Sequence, residues 1–189
     1  LKRSSTKQAR VLSSRLVYRG PLFQVRRDRV QEPGGVETVR DVIRHFGSVV
    51  LLPVLDDGRI LLVRQYRHAA GQFLWELVAG HIEPCEDPAK AAPRELEEET
   101  GYSARRFRHL FDFFPTPGFL SERMQLYLAT GLAPGRANPE DDENIQVGKF
   151  SPATLERRIL SGAIRDGKTI AGLLYYFRFV APKRKVTSR

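Results

Sequence analysis

Twenty-three residues, GHIEPCEDPAKAAPRELEEETGY from Gly80 to Tyr102, restrict what this chain can fold into more than any other stretch. Asp87-Pro88 reads as a helix N-cap followed by proline at the first helical position, and Thr100-Gly101 as the stop, where glycine takes the left-handed conformation. The segment therefore predicts a glycine loop running into a helix. At about 100° per residue, Glu95, Glu98 and Glu99 fall within roughly 100° of arc, while Glu97 points the other way. Like charges at these spacings destabilise a helix, so this face calls for something positive. Hard carboxylate oxygens suit magnesium or manganese, which keep water and phosphate oxygens in their remaining positions. Bound ions of this kind would bridge a diphosphate, neutralise charge as a P–O bond breaks and lower the pKa of a water nucleophile. Arg94, four residues before Glu98, can hold that carboxylate in place. The plain alternative is a solvated acidic helix face. Pro93 removes a helical hydrogen bond at a cost of about 3 kcal/mol or more, which predicts either a kink or a later helical start.

Around this segment the chain reads as mixed α/β. Ser48–Leu55 and Arg59–Gln65 are apolar, β-branched runs either side of Asp56-Asp-Gly58, a hairpin signal at the centre of a sheet. Phe107–Phe114, Met124–Ala129 and Gln146–Phe150 read as further strands. Ser151-Pro152 opens a short helix that Ser161-Gly162 closes, and Ile170, Leu173, Leu174 and Phe177 form the apolar stripe of a last helix. Leu16–Tyr18, Phe23–Val25 and Val36–Val39 are short strand-like pieces separated by turns. The expected organisation is a basic flexible tail at 1–13, a β extension at 14–45, the main domain at 46–180 and a basic tail at 181–189.

The 189 residues, 41% of them hydrophobic, suffice for a buried core, and no apolar run approaches the roughly 20 residues of a membrane-spanning helix. The +9 charge raises nucleic-acid binding as a possibility, but it sits at the ends: residues 1–19 carry six Lys/Arg and 178–189 five, with no acid in either. The body, 20–177, is left at −2, which argues against a nucleic-acid role. One cysteine, Cys85, and no secretory signal pattern point to a reducing compartment, the cytoplasm; the Arg/Ser-rich opening also fits a trimmed or targeting end. Cys85 has no paired base, and His45, His68 and His81 have no metal-ligand spacing.

The segment 80–102 resembles the Nudix box, G-x5-E-x7-R-E-U-x-E-E-x-G-U, where U is a bulky aliphatic residue. Gly80, Glu86, Arg94, Glu95, Leu96, Glu98, Glu99 and Gly101 match it, and Tyr102 departs at the final U. The resemblance implies an α/β/α sandwich with a mixed central sheet, metal ligands at Glu95, Glu98 and Glu99 with the carbonyl of Ala79, and a loop braced by Glu86 and Arg94. It also implies Mg2+ or Mn2+ as cofactor. Across roughly 14–180 the chain is similar to the ADP-ribose pyrophosphatase branch, through LLVRQYR at 61–67, LWELVAGHIEP at 74–84, PTPGFLSER at 115–123, DENIQV at 142–147 and SGAIRDGKTIAGLL at 161–174. Pro117, with Gly118 beside it, stands 15 positions past Tyr102, a mark of that branch.

That likeness implies hydrolysis of ADP-ribose to AMP and ribose 5-phosphate by a homodimer whose N-terminal strands pair across the subunits. Arg67, or Arg64, would contact a phosphate, unless it serves a structural ion pair. Tyr66, Phe113, Phe114, Phe119 and Trp75 are candidates either for adenine stacking or for core. The catalytic set would comprise Arg94 and Glu98 together with an acid from the polar loop 135–144, Glu143 first and Glu140 second, at which a water proton is taken. Other readings are a Nudix hydrolase of GDP-mannose, NADH or a dinucleoside polyphosphate, or a non-catalytic module binding a nucleotide or RNA.

Overall fold

Seven consecutive buried residues, Ser48–Val54, form the strand around which the larger part of the chain is built. A strand covered on both faces reads as a continuous apolar run rather than an alternating one, which is what Ser48-Val-Val-Leu-Leu-Pro-Val shows. The computed structural model describes residues 8–135 and 145–181. These form two compact units, one drawn from the chain up to Gly47 with Phe113–Arg123, the other from Ser48–Asp112 and Met124 onward.

The first unit is an antiparallel meander of β1 (Arg10–Arg19), β2 (Phe23–Gln31) and β3 (Glu37–His45). The strands are longer than hydropathy indicates because charged pairs join β2 to β3, Arg27 with Asp41 and Arg29 with Glu37, and Arg40 of β3 pairs with Glu32 in the turn between them. β1 starts at Arg10, within the stretch expected to be a flexible tail, because Arg10 and Val11 pair with Gln31 and Val30. The Pro117–Ser121 segment is tied to β3, where the Ile43 N–H donates to the Phe119 carbonyl at 2.8 Å and the Ser121 N–H to the Ile43 carbonyl at 2.9 Å.

The second unit holds β4 (Ser48–Val54), β5 (Ile60–Arg67), β6 (Gln72–Glu76), β7 (Val78–His81), α1 (Pro88–Thr100), all but the last residue of β8 (Tyr102–Phe113), β9 (Met124–Pro134), β10 (Gln146–Phe150), α2 (Pro152–Leu160) and α3 (Gly167–Tyr175). The sheet runs β10-β5-β4-β9-β8, with β6 on β5 and β7 on β4. Its β4–β9 pair is parallel and the β4–β7 pair antiparallel, so the sheet is mixed as expected. The expected β4–β5 hairpin is reduced to the single pair Val54–Ile60, because β7 takes the edge of Ser48–Leu51 instead.

Helices cover both faces of this sheet. Ala91, Ala92 and Leu96 of α1 join Val49, Leu51, Tyr127 and Ala129 in one core cluster. On the other face, a Cβ at Gly172 of α3 would lie 2.7 Å from Leu77 Cδ1 and 3.5 Å from Leu126, so glycine allows the helix to approach the sheet. The apolar stripe anticipated for α3 is shifted by this contact: Lys168, Thr169, Gly172, Leu173 and Tyr176 are buried and Leu174 is 49% exposed. Among the described residues no helix is long and apolar enough to cross a membrane.

Candidate active site

Helix α1 forms as its caps dictate. Asp87 accepts from the Ala89 N–H at 3.0 Å, Pro88 occupies the first position, and Gly101, at φ 71°, closes the helix with its N–H on the Glu97 carbonyl. Pro93 lies inside it and neither delays the start nor ends the helix. Burial of Ala91, Ala92 and Leu96 against the sheet fixes the rotation of α1. Glu95 and Glu99 are then 9% and 3% exposed, Glu98 is partly exposed, and Glu97 faces solvent.

Arg94 gathers this acidic face. Its Nη1 donates to Glu95 Oε1 at 2.9 Å and to Glu98 Oε2 at 3.0 Å. Its Nε and Nη2 donate to the two oxygens of Glu86 at 3.3 and 3.1 Å, and Nη2 also reaches the His81 carbonyl at 3.1 Å. Burial alone would lower the Arg94 pKa, but the bonds and charges of Glu86, Glu95 and Glu98 outweigh it and raise it further above its ordinary value. Glu86 is correspondingly held below the usual carboxylate range, chiefly by Arg94, and accepts from the Glu83 N–H at 2.9 Å. One guanidinium thus ties the loop after β7 to the helix.

Gly80 pairs with Val49 in the sheet, and a Cβ there would lie 1.7 Å from Glu95 Cδ. The glycine therefore lets the Glu95 carboxylate lie directly against strand β7, beside Ala79. The donors fit a divalent cation in kind: three carboxylates from one helix face and a strand carbonyl, all hard oxygens. Among the described residues no three acidic or histidine side chains form a converged metal-ligand group, and Glu95 and Glu98 converge on Arg94 instead.

Arg67, expected to contact a phosphate, grips Glu76 bidentately, Nε to Oε1 at 2.9 Å and Nη2 to Oε2 at 2.8 Å. The Glu99 charge also acts on Arg67. Arg64, three residues earlier and on the opposite face of β5, lies over the Phe73 ring at 4.5 Å and donates to Gln146 at 3.3 Å. Tyr66 packs edge-on to Phe73, and Trp75 packs edge-on to Phe150. Pro117 and Gly118 belong to the first unit, lining a cleft of ≈ 300 Å³ with Arg40, Arg44 and Phe119. Glu140 and Glu143 lie outside the described residues.

Sequence reasoning missed the buried Glu76, Lys168 and Thr169 and the partly buried Asp166, which form a polar cluster with Arg67. Two signals were available: a lone acid in Leu-Trp-Glu-Leu, and Asp166-Gly-Lys-Thr169, an N-cap pattern placing a lysine in an otherwise apolar helix.

The NUDIX domain matches residues 44–173. The chain belongs to the Nudix family. Residues 10–43, the meander of the first unit, match the nucleoside diphosphate sugar hydrolase N-terminal domain. This Nudix chain is 41% identical over 166 residues to an ADP-ribose pyrophosphatase of Mycobacterium tuberculosis, covering 86% of this chain and 80% of that protein. It is 31% identical to the methanol dehydrogenase activator of Bacillus methanolicus, over 89% and 92% of the two chains. A crystal structure of an ADP compounds hydrolase superposes with a TM-score of 0.78 at 23% identity, over 90% of this chain and 93% of the other, which establishes the shared Nudix fold. The chain is a Nudix pyrophosphohydrolase, and enzymes of this family generally depend on a divalent metal.

Proposed function

We propose that this enzyme hydrolyses ADP-ribose to AMP and ribose 5-phosphate. The observation that carries the reading is the Arg94 hub, which holds Glu86, Glu95 and Glu98 on one face of α1 with Gly80 giving Glu95 access to strand β7. The 41% identity to an ADP-ribose pyrophosphatase supports the choice of substrate. Glu95, Glu98 and Glu99, with the Ala79 carbonyl, would hold Mg2+ or Mn2+. Such an ion supplies charge neutralisation at the diphosphate and a lowered water pKa. Arg67 contacts the diphosphate through the guanidinium edge that Glu76 does not take. Glu143, or Glu140 in its place, accepts the proton of the attacking water as the P–O bond of the diphosphate breaks, and the two products leave as phosphomonoesters.

The N-terminal meander leaves Val11, Val17, Tyr18 and Val39 exposed, which supports a homodimer through this unit. A monomer by sedimentation at micromolar concentration would refute that assembly. The cytoplasm is the proposed compartment. The deciding experiment is a product assay with ADP-ribose, GDP-mannose, NADH and a dinucleoside polyphosphate. The highest kcat/KM is expected for ADP-ribose, with AMP and ribose 5-phosphate in equal amounts, and a clear preference for another substrate would overturn the assignment.

A further inference from the structure

Lys168 is the one lysine of α3, only 9% exposed, in a helix that otherwise buries threonine, glycine and leucine. Its Nζ donates to Glu76 Oε2 and lies 3.1 Å from Asp166 Oδ1. Glu76, itself 1% exposed, is thereby shared between two cations, Lys168 and Arg67. The cluster of Arg67, Glu76, Asp166 and Lys168 is neutral. Thr169 extends it to the backbone: its Oγ1 donates to Asp166 Oδ2 at 2.5 Å and accepts from the Leu77 N–H at 2.7 Å, two residues before Ala79.

Packing alone does not account for this arrangement. Replacing a buried ion pair by apolar groups of similar volume is often neutral or stabilising, so a hydrophobic residue at 168 would join α3 to the sheet as well. The lysine does something an apolar residue cannot, which is to balance charge. The buried Glu76 and the partly buried Asp166 against Arg67 alone would leave the cluster at −1. A diphosphate approaching that guanidinium would then meet a net negative field. With Lys168 present, Glu76 still fixes the plane of the guanidinium through two hydrogen bonds, while Lys168 answers its charge at Oε2.

We propose that Lys168 is a positioning residue for substrate binding: by neutralising Glu76 and Asp166 it keeps the oriented Arg67 guanidinium attractive to the diphosphate. This rests on the reading of Arg67 as a diphosphate contact. A lysine that only anchored α3 would influence melting temperature and leave the substrate affinity alone.

The test measures KM and kcat for ADP-ribose at saturating Mg2+ with the full chain and its variants. Lys168→Met is expected to raise KM roughly tenfold with kcat within about twofold, by loss of one charge near a polyanion. Lys168→Arg retains the charge and is expected to restore KM to within about threefold. Asp166→Asn gives the opposite sign: asparagine still caps α3 and the cluster gains one positive charge, so KM should fall about threefold. This variant decides the matter if Lys168→Met does not fold, and an unchanged or higher KM there overturns the proposal. Arg67→Met should raise KM and make a further Lys168→Met change nearly silent. If Arg67→Met raises KM while folded Lys168→Met leaves it unchanged, Lys168 has no positioning role. If Arg67→Met changes neither KM nor kcat, the underlying assignment of Arg67 fails instead.

Discussion

Gly80→Ala isolates the contact on which the proposed metal site depends. A methyl group at this position would stand 1.7 Å from Glu95 Cδ and 1.9 and 2.1 Å from its two carboxylate oxygens. Carbon atoms settle at about 3.5 Å or more, so the carboxylate must retreat by roughly 1.8 Å. The strand cannot yield in its place, because Gly80 is paired with Val49 and flanked by the Ala79–Val50 and His81–Ser48 pairs. Glu95 can yield, since its carboxylate is the far end of a jointed side chain, but it then abandons the 2.9 Å bond to Arg94. Overpacking of this kind costs about 1–3 kcal/mol, so the fold survives. Misplacing a reacting-site group by an ångström or more costs on the order of 10² in rate. Purified Gly80→Ala is therefore expected to hydrolyse ADP-ribose at least about a hundredfold more slowly at saturating magnesium. Gly34→Ala, where an added Cβ meets nothing within 4 Å, serves as the control and should match the wild type. Turnover of Gly80→Ala within threefold of that control would show that the Glu95 position does not matter to the reaction.

Glu99→Gln should reduce turnover by about 10² or more while Glu97→Gln stays near wild type, since only position 99 shares the acidic face; equal activities would refute that face. Burial pushes the Glu76 carboxyl up, but Arg67 and Lys168 more than offset it and hold it below the usual range. Its stabilisation is thus full above the unfolded value of about 4.3 and is lost as pH falls through the folded one. Glu76→Gln should lower the melting temperature at pH 7 and lose less on acidification below about pH 4.3, and an unaltered acid slope would contradict this. Excess magnesium or manganese should raise the melting temperature by binding the folded state, and no rise would count against a site formed in the free protein. Glu143→Gln is expected to lower kcat on the order of 10² to 10⁴ with little change in KM; if Glu140→Gln alone does so the base is Glu140, and if both variants stay active the base lies elsewhere.

Local rules carried much of the site. The caps and the 3.6-residue period set the limits of α1 and separated Glu97 from Glu95, Glu98 and Glu99, because backbone hydrogen bonding and side-chain direction depend on near neighbours in the chain. The start of α2 and the bounds of β10 were legible on the same grounds. Pro93 misled only as to continuity, since flanking burial of Ala91, Ala92 and Leu96 holds the helix through the lost bond. What the sequence could not supply was partnership across long separations. Which strand takes the edge of β4, why Leu174 faces outward, and how Arg27 and Arg29 come to sit in a strand depend on cross-strand and helix–sheet contacts that no window of neighbours contains. The same holds for Arg67. Sequence placed it at the end of a strand, but only tertiary structure joined it to Glu76 and, 92 residues further on, joined Glu76 to Lys168, because a buried charge is tolerable only where the fold delivers its counter-charge.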